Sequence, residues 1–254
     1  MAAEKRYEMN KVYASAEKAI ADIGDGAVIA IGGFFAAGVP RILLGALAAE
    51  KVTGLTLACG SGPLLGAKEI AKMLIANKQI RKVIDSYALS RSMSSGMSDP
   101  LEQKIRSGEI ELEIFPMGTL AEKYRAAGAG IAAFYTPSGA GTIAASGRIS
   151  NRKEGLRTKE TRRFQNDEYV LEYALNCDYA FVHAYRGDRE GNLQYRKTAR
   201  NFNHVMATAA KVTIAEVENL VEPGEIDPEV VHTPGIYVQR VVQVPRISFD
   251  VGIE

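Results

Sequence analysis

The 254-residue chain has no tryptophan, two cysteines and three histidines, and carries no excess charge of either sign. Cys59 and Cys177 sit in apolar segments without a CxxC spacing. That pattern argues against both a disulfide framework and a zinc site, and it fits a reducing, cytoplasmic setting. His183, His204 and His232 are far apart with no HxxxH, so no catalytic metal is expected. Thirty-one Lys and Arg oppose thirty Asp and Glu, a net charge of +1. This balance offers no general attraction to nucleic acid or anionic lipid, and neither is expected as a partner. GxSxG and GxxxxGK[ST] are both missing, which weakens serine hydrolase and P-loop readings. No secretory signal is visible in MAAEKRYEMNKVY, which reads as the start of the mature protein. Residues 126–147 lack any charge, yet Gly128, Gly130, Pro137, Gly139, Gly141 and Gly147 interrupt them. Such breakers would strand backbone groups in lipid, so the stretch reads as a buried glycine-rich loop.

Hydrophobic residues at 46% and charged residues at 24% describe an ordinary ordered chain. Apolar spacing predicts helices over 11–23, 41–49, 67–76, 102–107, 120–127 and 202–210. Short apolar or β-branched runs predict strands over 27–31, 55–59, 83–87, 109–115, 169–174, 179–184 and 211–217, with a β-rich end over 235–244. Helix and strand alternate over roughly the first 120 residues, the pattern of an α/β fold with an open, mostly parallel (mixed) sheet flanked by helices. With no fixed-period repeat and no Pro/Ser/Gly linker, residues 1–254 read as a single domain.

Glycine placement carries the chemistry. In DGAVIAIGGFFAAGVP a buried strand runs into Gly32, Gly33 and Phe34, followed by Phe35, Ala36, Ala37, Gly38 and Pro40. Paired glycines let a ligand approach the backbone, and the helix beginning near Pro40 presents an N-terminus that favours an anion. A ligand-free tight turn explains the same residues equally well. Gly60, Ser61 and Gly62 form a second strand-to-helix junction, and Gly139 and Gly141 a third. Together they fit ligands gathered at the carboxyl edge of a sheet. Glu109, Glu111 and Glu113 alternate with apolar residues and read as one solvated strand face. The basic stretch 148–163 reads as a solvated loop. Arg196, Lys197 and Arg200, set among Tyr195 and Asn201, suit a subunit or phosphate contact as readily as structural ion pairs.

Asp25-Gly26, two residues, three apolar residues, Gly32-Gly33-Phe34, three residues, Gly38, one residue and Pro40 resemble the first signature of family I coenzyme A transferases. The similarity continues through residues 118–142, 187–203 and 213–238, segments like those of the A subunit of 3-oxoacid and 3-oxoadipate transferases. The resemblance implies a fold of the transferase and ribose-5-phosphate isomerase type. It also implies ping-pong transfer of coenzyme A between carboxylic acids, with coenzyme A or acyl-CoA as substrate and no permanently bound cofactor. The nucleophile would be a glutamate of a partner B subunit, leaving no catalytic residue in this chain, in a heterodimer or α2β2 assembly. Gly32, Gly33, Phe34, Phe35, Ala36, Ala37 and Gly38 would then bind the coenzyme.

Two departures bear on the acyl pocket, expected at Gly60, Ser61, Met117 and Gly118. Relatives acting on short 3-oxoacids carry Asn-Asn or Asn-Asp where this chain has Gly60-Ser61, and Pro-Gln-Gly where it has Pro116-Met117-Gly118. A backbone N–H at Gly60 or Gly62, or the Ser61 hydroxyl, would have to supply the lost oxyanion donor. Met117 makes the pocket more apolar, which favours a bulkier acyl group. An acyl-CoA thioester hydrolase, a ring-cleaving relative and a non-enzymatic acyl-CoA sensor remain alternatives on the same scaffold.

Overall fold

The computed structural model describes residues 9–87, 99–146, 150–151 and 158–246. Strands β1 (Val12–Tyr13), β2 (Val28–Ile31), β3 (Leu55–Ala58), β4 (Ile80–Asp85) and β5 (Glu111–Ile114) occupy the first half of the chain. Helices α1 (Ala16–Ile20), α2 (Arg41–Ala49), α3 (Pro63–Gly66), α4 (Lys68–Ala76), α5 (Pro100–Ser107) and α6 (Met117–Gly128) lie among and after them. Then come β6 (Ala133–Thr136), β7 (Thr161–Phe164), β8 (Asp167–Tyr173), β9 (Cys177–Asp188), β10 (Leu193–Gln194), α7 (Asn203–Met206), β11 (Ala210–Val221) and β12 (Arg240–Gln243).

Nine strands form one sheet in the order β1-β12-β11-β9-β2-β3-β4-β5, with β10 paired to β9. Every pairing is parallel except β10 with β9, so the sheet is mixed but mostly parallel. Its central strands read as apolar runs because both faces are covered. Ile29, Ile31, Leu55, Leu57 and Val83 point into one core with residues of α1, α2, α4 and α5. Their neighbours Ala30, Ala58 and Ile84 point into the other, with α6 and α7. Alanine on that second face leaves room for the large buried side chains of Tyr124, Phe202 and Met206.

The predicted helix over 11–23 is replaced by a strand and a shorter helix. Val12 and Tyr13 pair with Val241 and Val242, residue types that suit a strand. Ser15 then caps α1, its hydroxyl accepting the Lys18 N–H at 3.3 Å. The helix predicted over 202–210 shrinks to α7, because Ala210 already begins β11. A second antiparallel sheet, β6-β8-β7, was not expected from the sequence. Residues 126–146 do not form a buried loop. They end α6, leave Ile131 exposed ahead of β6, supply β6 and continue into a loop where Ile143 is exposed. Among the described residues no helix is long and apolar enough to cross a membrane.

Candidate functional site

From β2 the sheet grows one way through β3, β4 and β5, and the other way through β9, β11, β12 and β1. Such a reversal opens a crevice beyond the carboxyl ends of the strands. Four segments line that edge: 32–40 after β2, 59–62 after β3, 85–87 after β4 and 115–118 after β5. Backbone hydrogen bonds join them in sequence. The Phe35 N–H donates to Ser61 O at 3.0 Å, Cys59 N–H to Ile84 O at 2.7 Å, and Phe115 N–H to Asp85 O at 3.1 Å. The residues expected for the coenzyme, Gly32 to Gly38, therefore share an edge with Gly60, Ser61, Met117 and Gly118. Their accessibility differs, since Ser61 is 1% exposed and Met117, which opens α6, is 43% exposed.

The loop after β2 is anchored from beneath by Asn203, a fully buried residue at the start of α7. Its amide nitrogen donates to Gly38 O at 2.9 Å and Ala199 O at 2.8 Å, while its Oδ1 accepts the His183 N–H at 3.0 Å. A Cβ at position 32 would lie 1.9 Å from that Oδ1, so the first glycine of the pair is required by the anchor itself. From above, the Arg41 guanidinium donates to Ala36 O at 3.2 Å and Gly66 O at 2.6 Å. Burial pulls Arg41 down to about 10, opposed by the nearby charge of Glu216. Phe35 is held at φ +46° and packs edge-on against Phe34 and tilted against Tyr87, with ring centroids 5.4 Å apart in each pair.

The expected anion site at the N-terminus of α2 is already occupied from within. Glu216 of β11, 1% exposed, accepts the Ile42 and Leu43 N–H groups at 2.9 and 3.0 Å through Oε2. Its carboxylate thus supplies the negative charge that this helix end favours. Oε1 lies 2.8 Å from His183 Nδ1, and His183 Nε2 lies 3.3 Å from Glu218 Oε1. Burial pulls the His183 imidazole down, but its two carboxylate partners more than reverse this and leave it raised.

At the loop after β3, the place a Gly60 Cβ would take is filled by the Phe202 ring, 2.4 Å away. Gly60 can therefore show a ligand only its backbone. The Gly62 N–H, a candidate oxyanion donor, is turned toward both carboxylate oxygens of Asp85 at 3.2 Å. Asp85 is 1% exposed, and burial pushes its carboxyl up to about 7 against the pull of the Tyr87, Gly62 and Ser86 N–H groups. A Cβ on Gly118 would meet nothing within 4 Å, so the start of α6 stays open beside Met117. The third glycine segment approaches the same place, since a Gly139 Cβ would lie 3.9 Å from Pro116 Cγ.

Asn203, Glu216 and Asp85 were not singled out from the sequence. Their one legible signal is a polar residue in or beside an apolar run. The carboxylates of β5 are also less free than expected: Glu111 and Glu113 both pair with Lys82, at 3.0 and 2.6 Å. Arg196 lies over the Tyr185 ring at 4.5 Å. Of the basic stretch 148–163, residues 148–149 and 152–157 lie outside the described residues. Both cysteines are buried and unpaired, with burial pushing Cys177 up to about 12.

Residues 13–244 match the model of the family described as coenzyme A transferase. The chain belongs to that family. It is 46% identical over 249 residues to the A subunit of a probable succinyl-CoA:3-ketoacid coenzyme A transferase from Mycobacterium bovis, covering 94% of this chain and 95% of that one. It is 45% identical over 239 residues to the A subunit of a 3-oxoadipate CoA-transferase from Pseudomonas putida, covering 93% and 94%. Among solved structures, an acyl-CoA transferase from Escherichia coli O157:H7 superposes with a TM-score of 0.79 at 21% identity, covering 96% of this chain and 48% of that one. At that identity the likeness speaks for the fold, the mostly parallel helix-flanked sheet expected from the sequence.

Proposed function

We propose that the chain is the A subunit of a coenzyme A transferase of the 3-oxoacid class, paired with a B subunit that carries the glutamate nucleophile. One observation carries this reading. The sheet edge gathers four ligand-sized loop segments, yet the only carboxylate in residues 32–40, 59–62, 85–87 and 115–118 is Asp85, buried and engaged by backbone N–H groups. A partner must bring the attacking group. Its carboxylate attacks the acyl carbonyl of the donor and expels the CoA thiolate, giving a mixed anhydride. The thiolate then attacks the glutamyl carbonyl, releasing the donor acid and leaving a glutamyl-CoA thioester. An incoming carboxylate runs the same two steps in reverse to take the coenzyme and free the glutamate. This chain contributes the floor: the loop over Asn203 for the coenzyme side, and Gly60, Ser61, Met117 and Gly118 for the acyl side. The longer E. coli chain, of which this one spans about half, and the A-subunit names of the relatives support a two-part enzyme.

The test is reconstitution. The purified chain alone is expected to show no CoA transfer from succinyl-CoA to acetoacetate or 3-oxoadipate, and to gain it when co-purified with a B-type partner. Full activity of the lone chain would defeat the proposal, and release of coenzyme A without any acceptor acid would favour thioester hydrolysis instead.

A further inference from the structure

At the carboxyl end of β4 the Asp85 side chain ties its own segment, 85–87, to the turn after β3. Asp85 Oδ1 accepts the Ser86 N–H at 2.7 Å and the Gly62 and Tyr87 N–H groups at 3.2 Å each. Oδ2 shares the Gly62 donor. Ser86 Oγ donates to Gly60 O at 2.5 Å, so the turn after β3 is gripped at both of its glycines. Tyr87, set by the same carboxylate, packs its ring on Phe35 of the loop after β2. The Asp85 carbonyl in turn accepts the Phe115 N–H just ahead of Met117 and Gly118.

A turn alone does not need this. A carboxyl buried among backbone donors is a costly way to hold a loop, and a neutral amide oxygen could accept the same N–H groups. The arrangement also takes one donor away from any ligand, since the Gly62 N–H is directed at Asp85.

We infer that Asp85 and Ser86 are positioning residues, which hold the coenzyme-side loop, the Gly60–Gly62 turn and the start of α6 in one register and so align thioester and acceptor for transfer. The inference rests on the transferase reading given above and deepens it. Misplacement of reacting groups by about 1 Å can cost on the order of a hundredfold in rate, so the effect should fall on kcat.

The experiment uses the chain assembled with its B-type partner, with succinyl-CoA as donor and acetoacetate as acceptor. Ser86→Ala should lower kcat about tenfold and Asp85→Ala about a hundredfold, with the KM for succinyl-CoA within about twofold of wild type. Asp85→Asn keeps an acceptor oxygen and should restore kcat to within about tenfold of wild type. Amide exchange at Gly62 should quicken in Asp85→Ala and recover in Asp85→Asn. If Asp85→Ala does not fold, Ser86→Ala and Asp85→Asn decide the matter. Unchanged kcat in folded Ser86→Ala and Asp85→Ala, or losses confined to KM, would overturn the inference. Failure of the transferase reading looks different: the wild-type assembly would then move no coenzyme A at all, which would overturn the positioning role with it, whatever Gly62 exchange showed.

Discussion

Replacing Gly32 by alanine puts a methyl group 1.9 Å from Asn203 Oδ1 and 2.8 Å from its Cγ, with Phe181 O at 3.2 Å on another side. Ordinary contact would require the amide to retreat by more than an ångström. It cannot do so cheaply, because three hydrogen bonds of 2.8–3.0 Å fix it to Gly38, Ala199 and His183. At roughly 1 kcal/mol net for each of the three bonds, plus overpacking of about 1–3 kcal/mol, Gly32→Ala should cost about 4–6 kcal/mol. For a chain of this size that corresponds to a fall in Tm of roughly 8–24 °C. Asn203→Ala should cost about 3–4 kcal/mol, because it loses the same three bonds and leaves a void. In the double variant the bonds are lost once and the new methyl enters the vacated space. Urea unfolding of the four proteins should then give a coupling energy of at least about 3 kcal/mol, the double variant being more stable than the sum of its parts predicts. Additivity to within about 0.5 kcal/mol, or a Gly32→Ala penalty below about 1 kcal/mol, would refute the idea that Asn203 is why position 32 is glycine.

Asp85 makes a second prediction through pH. Its carboxyl is raised in the fold from an ordinary 3.8 to about 7, so its stabilising contribution is present below pH 3.8 and lost as pH rises through 7. Asp85→Asn lacks that loss and should gain about 2–3 kcal/mol relative to wild type between pH 5 and 8.5 in unfolding free energy; parallel pH curves for the two proteins would show that the carboxyl is not held up. A third contrasts two departures from relatives. Gly60→Asn drives its Cβ into the Phe202 ring and should cost about 1–3 kcal/mol by thermal unfolding. Met117→Gln, on an exposed helix start, should be neutral to within about 0.5 kcal/mol. It should also shift the ranking of kcat/KM toward acetoacetate or 3-oxoadipate, and an unchanged ranking would remove Met117 from the acyl pocket.

Much of the scaffold was legible because the buried parallel strands have the simplest code. Ile29 to Ile31 and Leu57 to Ala58 are apolar on both faces, and glycines mark where β2 and β3 end. The first helix was misplaced because Val12 and Tyr13 also fit a helical spacing; only a partner 229 residues away, Val241 for Val12, makes them a strand. The β6-β8-β7 sheet was legible only in part: β8 overlaps the strand expected over 169–174, whereas TRRF of β7 is exposed along its length, with no burial to imprint a pattern. In the site, the glycine loops announced themselves, but what holds them did not. Asn203, Asp85 and Glu216 act through backbone atoms distant in sequence, and a hydrogen bond to a backbone group leaves no complementary residue type to find.

Glu216 at the head of α2 bears on what the crevice can recognise. A free helix end would offer a ligand fixed positive potential, independent of any side chain. Here that potential is compensated before a ligand arrives, by a carboxylate that is itself hydrogen-bonded to His183. Under the proposed coenzyme reading, the loop after β2 would discriminate by contour, admitting a slender, weakly charged segment of a ligand close to its backbone, and a phosphate would have little reason to settle at α2. Under the proposed assembly, the ionic part of coenzyme recognition falls to other surfaces. The salt sensitivity of binding would then be dictated by those surfaces, while this chain governs fit.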